Sequence, residues 1–374
     1  DGFLVDGSRK VYADPAEPVE FFSGVGGTSR MYGLYATDTW AITDSTHLTG
    51  SLRWNDIQLS DRLASGEDGP GPQERHGYRK VNPALGITQD VGGGWTLFAS
   101  AAQSNRAPTV IELGCADPEQ PCRLPTGLQA DPPLKQVVSR SFQLGGRWKG
   151  PAGLSFDGEL YRTNNRDDIL FLSAANTQQG FFSNFSRTRY QGADLNLSQQ
   201  LGAWSWRLGY SYLLATYQAH GEILAGESTV DVRPGTRIAG LPKNTLKASV
   251  DWKVTDQLGL GLDLLAVSSS TSNGNENGLL GDDDGDSIRH NWDSRGYALV
   301  NFRATYWFNK DIELYARVDN VFDRRYVTYG AVSDDVLPDG HLIRPQVAPG
   351  EAPTTLFVAP GAPRLWTVGV KLHF

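Results

Sequence analysis

Hydrophobic and polar residues alternate with a period of two along much of this chain. Trp204, Trp206, Leu208, Tyr210, Tyr212 and Leu214 share one parity, while Ser205, Arg207, Gly209 and Ser211 hold the other. A helix would group its apolar positions at a spacing of 3.6, so this pattern predicts a two-faced strand. Leu246, Ala248, Val250, Trp252 and Val254 alternate with Lys247, Ser249, Asp251 and Lys253 in the same way, as do Leu154, Phe156, Gly158 and Leu160 with Ser155, Asp157 and Glu159. Residues 48–54, 142–148, 258–266 and 312–318 repeat the pattern. Many runs reach about 10 to 15 residues, against a mode of roughly 5 to 6 in globular sheets and about 9 to 11 needed to cross a bilayer at a tilt. They have membrane length.

The connections come in two kinds that take turns. Short polar turns are expected near 43–45, 91–94, 150–152, 200–203, 254–257 and 309–310, and long Gly/Pro/Asp-rich loops near 13–29, 61–77, 106–134, 166–180, 220–238, 273–294 and 324–362. A sandwich has no reason to keep such a rhythm, whereas an outer-membrane barrel has tight periplasmic turns and long extracellular loops. The expected fold is all-β, a transmembrane antiparallel up-and-down barrel, with thirteen strands and residues 1–12 as a fourteenth. Trp204, Trp206, Leu208, Tyr210, Leu246, Ala248, Val250 and Trp252 should face lipid, and Glu159, Arg207, Lys247 and Asp251 the lumen, because a midplane Lys or Arg on the lipid side costs roughly 2 to 4 kcal/mol.

Composition narrows the class. No apolar stretch long enough for a helical span occurs, and mean hydropathy is −0.37, so a membrane could be crossed only by strands. The 34 Lys and Arg against 42 Asp and Glu leave a net charge of −8, with no basic run to recruit nucleic acid. G-x-S-x-G, H-E-x-x-H and G-x-x-x-x-G-K-[ST] are all missing, and the six His stand singly. We therefore expect no enzyme, no resident cofactor and no metal site. Asp282 to Asp286 fails the EF-hand spacing and is expected to be a solvated acidic loop. Cys115 and Cys122 lie close together in a long loop, which suits a local disulfide in an oxidising compartment better than two free thiols.

Four segments resemble the TonB-dependent outer-membrane receptors. Phe98 to Thr109 contains Arg106-Ala107-Pro108 and is followed by Glu112-Leu113, similar to the family's Arg-Ala-Pro box. Tyr161 to Ile169 with Asn184 to Leu195 resembles its mid-barrel strand pair, Asp194 standing where Glu is usual. Val318-Asp319-Asn320-Val321-Phe322-Asp323-Arg324-Arg325-Tyr326 resembles the V-x-N-[LV]-F-[DN]-x-x-Y segment of the penultimate strand. The terminal strand, with Trp366, Val368, Val370, Leu372 and Phe374 on one parity, resembles the signal read by the barrel assembly machinery.

The resemblance implies that residues 1–374 are the C-terminal portion of a barrel of 22 strands, with the plug domain, the TonB-contacting segment and roughly eight strands absent. It implies a receptor in the outer-membrane lipid of a Gram-negative bacterium that binds a scarce nutrient, a ferric siderophore or similar chelate, and imports it with energy supplied through the TonB complex. A passive porin and a soluble β-rich binding module are the competing readings. Haem is disfavoured, since the second box resembles Asp131-Pro132-Pro133-Leu134 and no His lies between 109 and 130. Arg106, Arg123, Tyr326, Tyr329 and Arg344 are loop residues able to meet an anionic chelate.

Overall fold

The computed structural model describes residues 3–5, 11–13, 23–65, 70–114, 122–123, 134–173, 179–225, 228–281, 287–289, 292–334 and 354–373. Thirteen strands follow one another as an antiparallel meander: β1 (Ser23–Thr43), β2 (Thr46–Ser65), β3 (Pro70–Gly92), β4 (Trp95–Arg106), β5 (Val137–Lys149), β6 (Ser155–Ser173), β7 (Gln179–Leu201), β8 (Trp204–Tyr217), β9 (Asn244–Lys253), β10 (Leu258–Val267), β11 (Tyr297–Trp307), β12 (Ile312–Asp319) and β13 (Leu365–Leu372). Each pairs with its neighbours in sequence, and β1 does not pair with β13.

The ladder register carries the alternation from strand to strand. Trp204 faces Trp252, Trp206 faces Val250 and Leu208 faces Ala248, and these continue into Leu260, Leu262 and Leu264 of β10. The apolar parity thus forms a continuous face, on which Leu144, Leu160 and Leu262 are each more than half exposed. Large apolar side chains left open in this way are what a lipid-facing wall requires. Five Trp on that face, at 40, 95, 148, 204 and 252, lie near the short turns. Trp204 stacks on Trp252 at 4.8 Å and Trp95 on Trp148 at 5.8 Å between ring centroids, as in the aromatic girdle of a barrel at a membrane interface.

The opposite parity is polar and internally paired. Arg303 bridges Asp251 at 2.7 Å and Asp263 at 3.1 Å, Arg147 meets Asp157 at 2.9 Å, and Lys371 meets Glu313 at 3.1 Å. Glu159, Arg207, Lys247 and Asp251 all lie on this side, as the alternation predicts.

Three expectations change. Segments 61–77 and 166–180 are mostly ladder rather than loop, since β2 pairs with β3 as far as Ala64 and Pro70 and β6 with β7 as far as Ser173 and Gly180. Residues 13–29 likewise include the first residues of β1, which starts at Ser23. Residues 23–30, 61–65 and 70–77 are mostly polar, Gly or Pro at both parities, and 169–172 are apolar at both, so the alternation fades while backbone pairing continues. Finally, the described residues within 1–12 supply no strand to the meander: Phe3–Val5 pairs with Val11–Ala13 in a separate two-stranded sheet.

Candidate functional site

At the long-loop end, two structures fold over the polar face. The first is built by the Arg-Ala-Pro segment. Pro108 follows the end of β4, and Thr109 opens a single turn of helix, α1 (Val110–Gly114). The Glu112 N–H donates to Thr109 Oγ1 at 3.1 Å, and the Thr109 N–H donates to Glu112 Oε2 at 2.7 Å. This reciprocal capping box satisfies two otherwise orphaned donors. Arg106 grips the same carboxylate through Nη1, at 3.0 and 2.7 Å. The clamp delivers Leu113 into a core of Ile57, Leu59, Tyr78, Leu134, Val137 and Ile169, with Ala107 and Phe182 against it.

The second begins beyond β8. A hairpin of Gly221–Ala225 and Ser228–Val232 turns inward over β6, β7 and β8. Its Ile223, Val230 and Val232 bury against Tyr217, with Leu170, Phe185 and Ile238 alongside. Asp167 prepares this surface: its left-handed backbone, φ 52, breaks the alternation of β6. Asp168 then shares a side with Asn165 and Thr188, both of which donate to its Oδ2.

Between this hairpin and the loop after β10 lies a cavity of about 880 Å³, lined by His220, Glu222, Asp231, Arg233, Thr236 and Glu276 among others. The Gly274 N–H donates to Glu276 Oε2 at 3.0 Å, yet burial dominates and pushes the Glu276 carboxyl up to about 7. Near neutral pH about half of that carboxyl is protonated. The lining then carries Glu222, Asp231 and a partly ionised Glu276 against Arg233, a net negative balance.

The penultimate-strand motif forms a turn rather than a ligand contact. Asn320, with φ 52 and 4% exposed, takes the left-handed conformation that Asn tolerates. Its N–H donates to Asn301 Oδ1 at 2.9 Å, its Nδ2 donates to the carbonyls of Arg324 at 2.9 Å and Ala362 at 3.2 Å, and its Oδ1 accepts from the Arg324 N–H at 2.8 Å. Asp323 accepts the Arg364 N–H at 3.0 Å, so the turn holds the start of β13. Asp319 pairs with Arg317 at 2.7 Å, Phe322 is exposed, and Tyr326 lies 4.5 Å from Tyr297 between ring centroids.

Of the proposed ligand-facing residues, Arg106 is engaged by Glu112, and Tyr329 accepts from Asn273 Nδ2. Neither lines the cavity. For Arg123 the described feature is its backbone, which pairs with Gln179 at the top of β7. Arg344, Cys115, the Cys122 side chain, the acidic run 282–286 and Phe374 lie outside the described residues, and the disulfide with them. Trp366, Val368, Val370 and Leu372 all lie on the apolar face of β13.

A long antiparallel meander with an apolar outer face, a polar inner face and inward-folded loops defines an outer-membrane β-barrel protein. Residues 6–321 match the family model described as TonB dependent receptor-like, beta-barrel, and the chain belongs to that family of outer-membrane receptors of Gram-negative bacteria. The chain is 23% identical over 337 residues to the ferric enterobactin receptor of Pseudomonas aeruginosa, covering 84% of this chain and 40% of that one. It is 22% identical to the ferrienterobactin receptor of Escherichia coli, covering 100% and 45% respectively. Among solved structures, the ferric yersiniabactin uptake receptor FyuA from Yersinia pestis superposes with a TM-score of 0.66 at 18% identity, over 97% of this chain and 48% of that one. The chain therefore spans less than half the length of these relatives.

Proposed function

We propose that this protein binds a small metal chelate, most simply a ferric siderophore, in the rim cavity and that its import is driven by energy delivered through TonB. The observation that carries the reading is the cavity of about 880 Å³, whose size suits a ligand of drug-like dimensions and which opens at the extracellular end of a transport barrel. Several relatives are named as siderophore receptors. The net negative lining disfavours a strong polyanion and suits a chelate of low or positive charge. Residues 1–374 would then form part of a larger receptor barrel, a reading supported by the outer edges of β1 and β13, which have no partner strand among the described residues. The apolar residues of β13 would be read by the assembly machinery.

The test is uptake of radiolabelled ferric chelates in a strain lacking its own siderophore receptors, with and without TonB. Arg233→Glu reverses the cavity's arginine and should weaken binding of the accepted chelate at least tenfold while leaving the barrel heat-modifiable. Solute passage that persists without TonB, or chelate binding indifferent to Arg233→Glu, would replace this reading with that of a passive channel.

A further inference from the structure

We propose that Asp61, Glu74 and His76, on the projecting β2–β3 hairpin, form a binding site for a divalent transition-metal ion of the zinc class. The register sets Asp61 directly opposite Glu74, and His76 follows two residues later on the same face of β3. His76 Nε2 lies 3.4 Å from Asp61 Oδ1 and 3.4 Å from Glu74 Oε2, and the three donor atoms fall within 4.8 Å of one another. Metal–ligand bonds of about 2.0 to 2.2 Å in a tetrahedron place neighbouring ligand atoms about 3.3 to 3.6 Å apart, which is the spacing of His76 from each of the two carboxylates.

A second observation asks for a cation. Asp61 is 1% exposed, and both its carboxylate oxygens, together with His76 Nε2, lack a hydrogen-bond partner among the described residues. Buried carboxylate oxygens in that condition are costly, and like charges facing each other across an antiparallel pair repel. A metal ion removes both penalties at once. The donor set selects the ion: one imidazole and two carboxylates, without backbone carbonyls, suit zinc and its neighbours better than calcium or magnesium. Three protein ligands leave a fourth position for water, and the half-exposed Glu74 gives access from solvent. Leu59 and Tyr78, which adjoin the trio, belong to the core around Leu113, so the metal would pin the hairpin beside the first cap. This site is separate from the rim cavity and does not depend on the identity of the chelate.

The test is titration of the untagged protein in detergent, stripped with EDTA, using Zn²⁺ by calorimetry and Co²⁺ by its visible absorption. One Zn²⁺ per chain should bind, with Ca²⁺ and Mg²⁺ at least a hundredfold weaker, and Co²⁺ should develop tetrahedral bands. Glu74→Gln, at a half-exposed position that spares the fold, should weaken Zn²⁺ binding at least tenfold, and His76→Ala and Asp61→Asn should do the same. Zn²⁺ should also raise the melting temperature of the wild type and not that of Glu74→Gln. Absence of stoichiometric Zn²⁺ binding, or binding unchanged in both Glu74→Gln and His76→Ala, would overturn the proposal and leave the trio as a polar cluster that holds no ion.

Discussion

The two caps over the polar face close it in opposite ways. The cap built on α1 is sealed by apolar side chains: Leu113 is 2% exposed among Ile57, Leu59 and Val137, and its charged groups, Arg106 and Glu112, are consumed by each other and by the helix start. The hairpin cap has a small apolar footing under Val230 and Val232, but above it polar side chains converge on an open cavity without neutralising one another. A side chain already satisfied has nothing to give a ligand. The family motif thus marks scaffold, and the less recognisable loops carry the candidate binding surface.

The difference predicts that the caps respond separately to mutation. Leu113→Ala should have the largest effect, about 3 kcal/mol of stability, because it removes a fully buried side chain from a core that cannot readily collapse. It should appear as a lower melting temperature and as new protease cleavage within 107–136, with chelate binding at the other cap retained. Loss of binding in a folded Leu113→Ala protein would show that the caps form one unit.

Next in size is the pH response of the hairpin cap. The Glu276 carboxyl is raised from its ordinary 4.5 to about 7 on folding, so between those values the folded loop retains a proton that the unfolded chain has released. Its protonated, buried form is fully stable below about pH 4.5, and stability is lost as pH rises toward 7, by up to about 3 kcal/mol. Glu276→Gln should abolish this slope. Amide exchange across 272–279, followed from pH 5 to 8, should accelerate beyond the intrinsic rate in the wild type and track the intrinsic rate in the variant.

How much of this was legible beforehand depends on whether the signal was local. The order of the strands and their two faces follow from a period of two that many of the strands display by themselves, as Trp204 to Leu214 shows, and from the connections between them. The single helical turn was also written locally, in the Thr109 to Glu112 capping spacing, but it lies inside a segment read as a family box. The cavity was not legible, because His220 to Thr236 and Glu276 meet only after two loops fold together. Asp61, Glu74 and His76 become neighbours only through the β2–β3 register, and that register runs through residues whose polarity marked them as loop. Asp167 hid a reversal of parity, since nothing in hydropathy announces a left-handed residue within a strand.

The smaller effects sharpen the contrast. Val230→Ala removes two methyl groups from the footing of the hairpin cap, where Val230 is 2% exposed, and should cost about 1 to 2 kcal/mol. Because that footing supports the cavity, the loss should also weaken chelate binding, whereas a comparable loss at Leu113 should not. Binding unaffected by Val230→Ala would mean that the cavity walls hold their places without the hairpin core.

Arg106→Ala should have the smallest effect. The arginine is about half exposed and Glu112 is mostly buried, so removing the ion pair leaves the carboxylate still holding the Thr109 N–H. A loss of about 1 kcal/mol is expected, within the range for a partly screened charged pair, with chelate affinity unchanged. Glu112→Gln separates the two roles of that carboxylate: it keeps an oxygen for the helix cap and removes the charge from Arg106, so it should reproduce Arg106→Ala, and the two changes together should cost little more than either alone. An Arg106→Ala protein of full stability but with chelate affinity reduced tenfold would reverse the assignment, returning the arginine of the motif to the ligand and making the sealed cap part of the binding site.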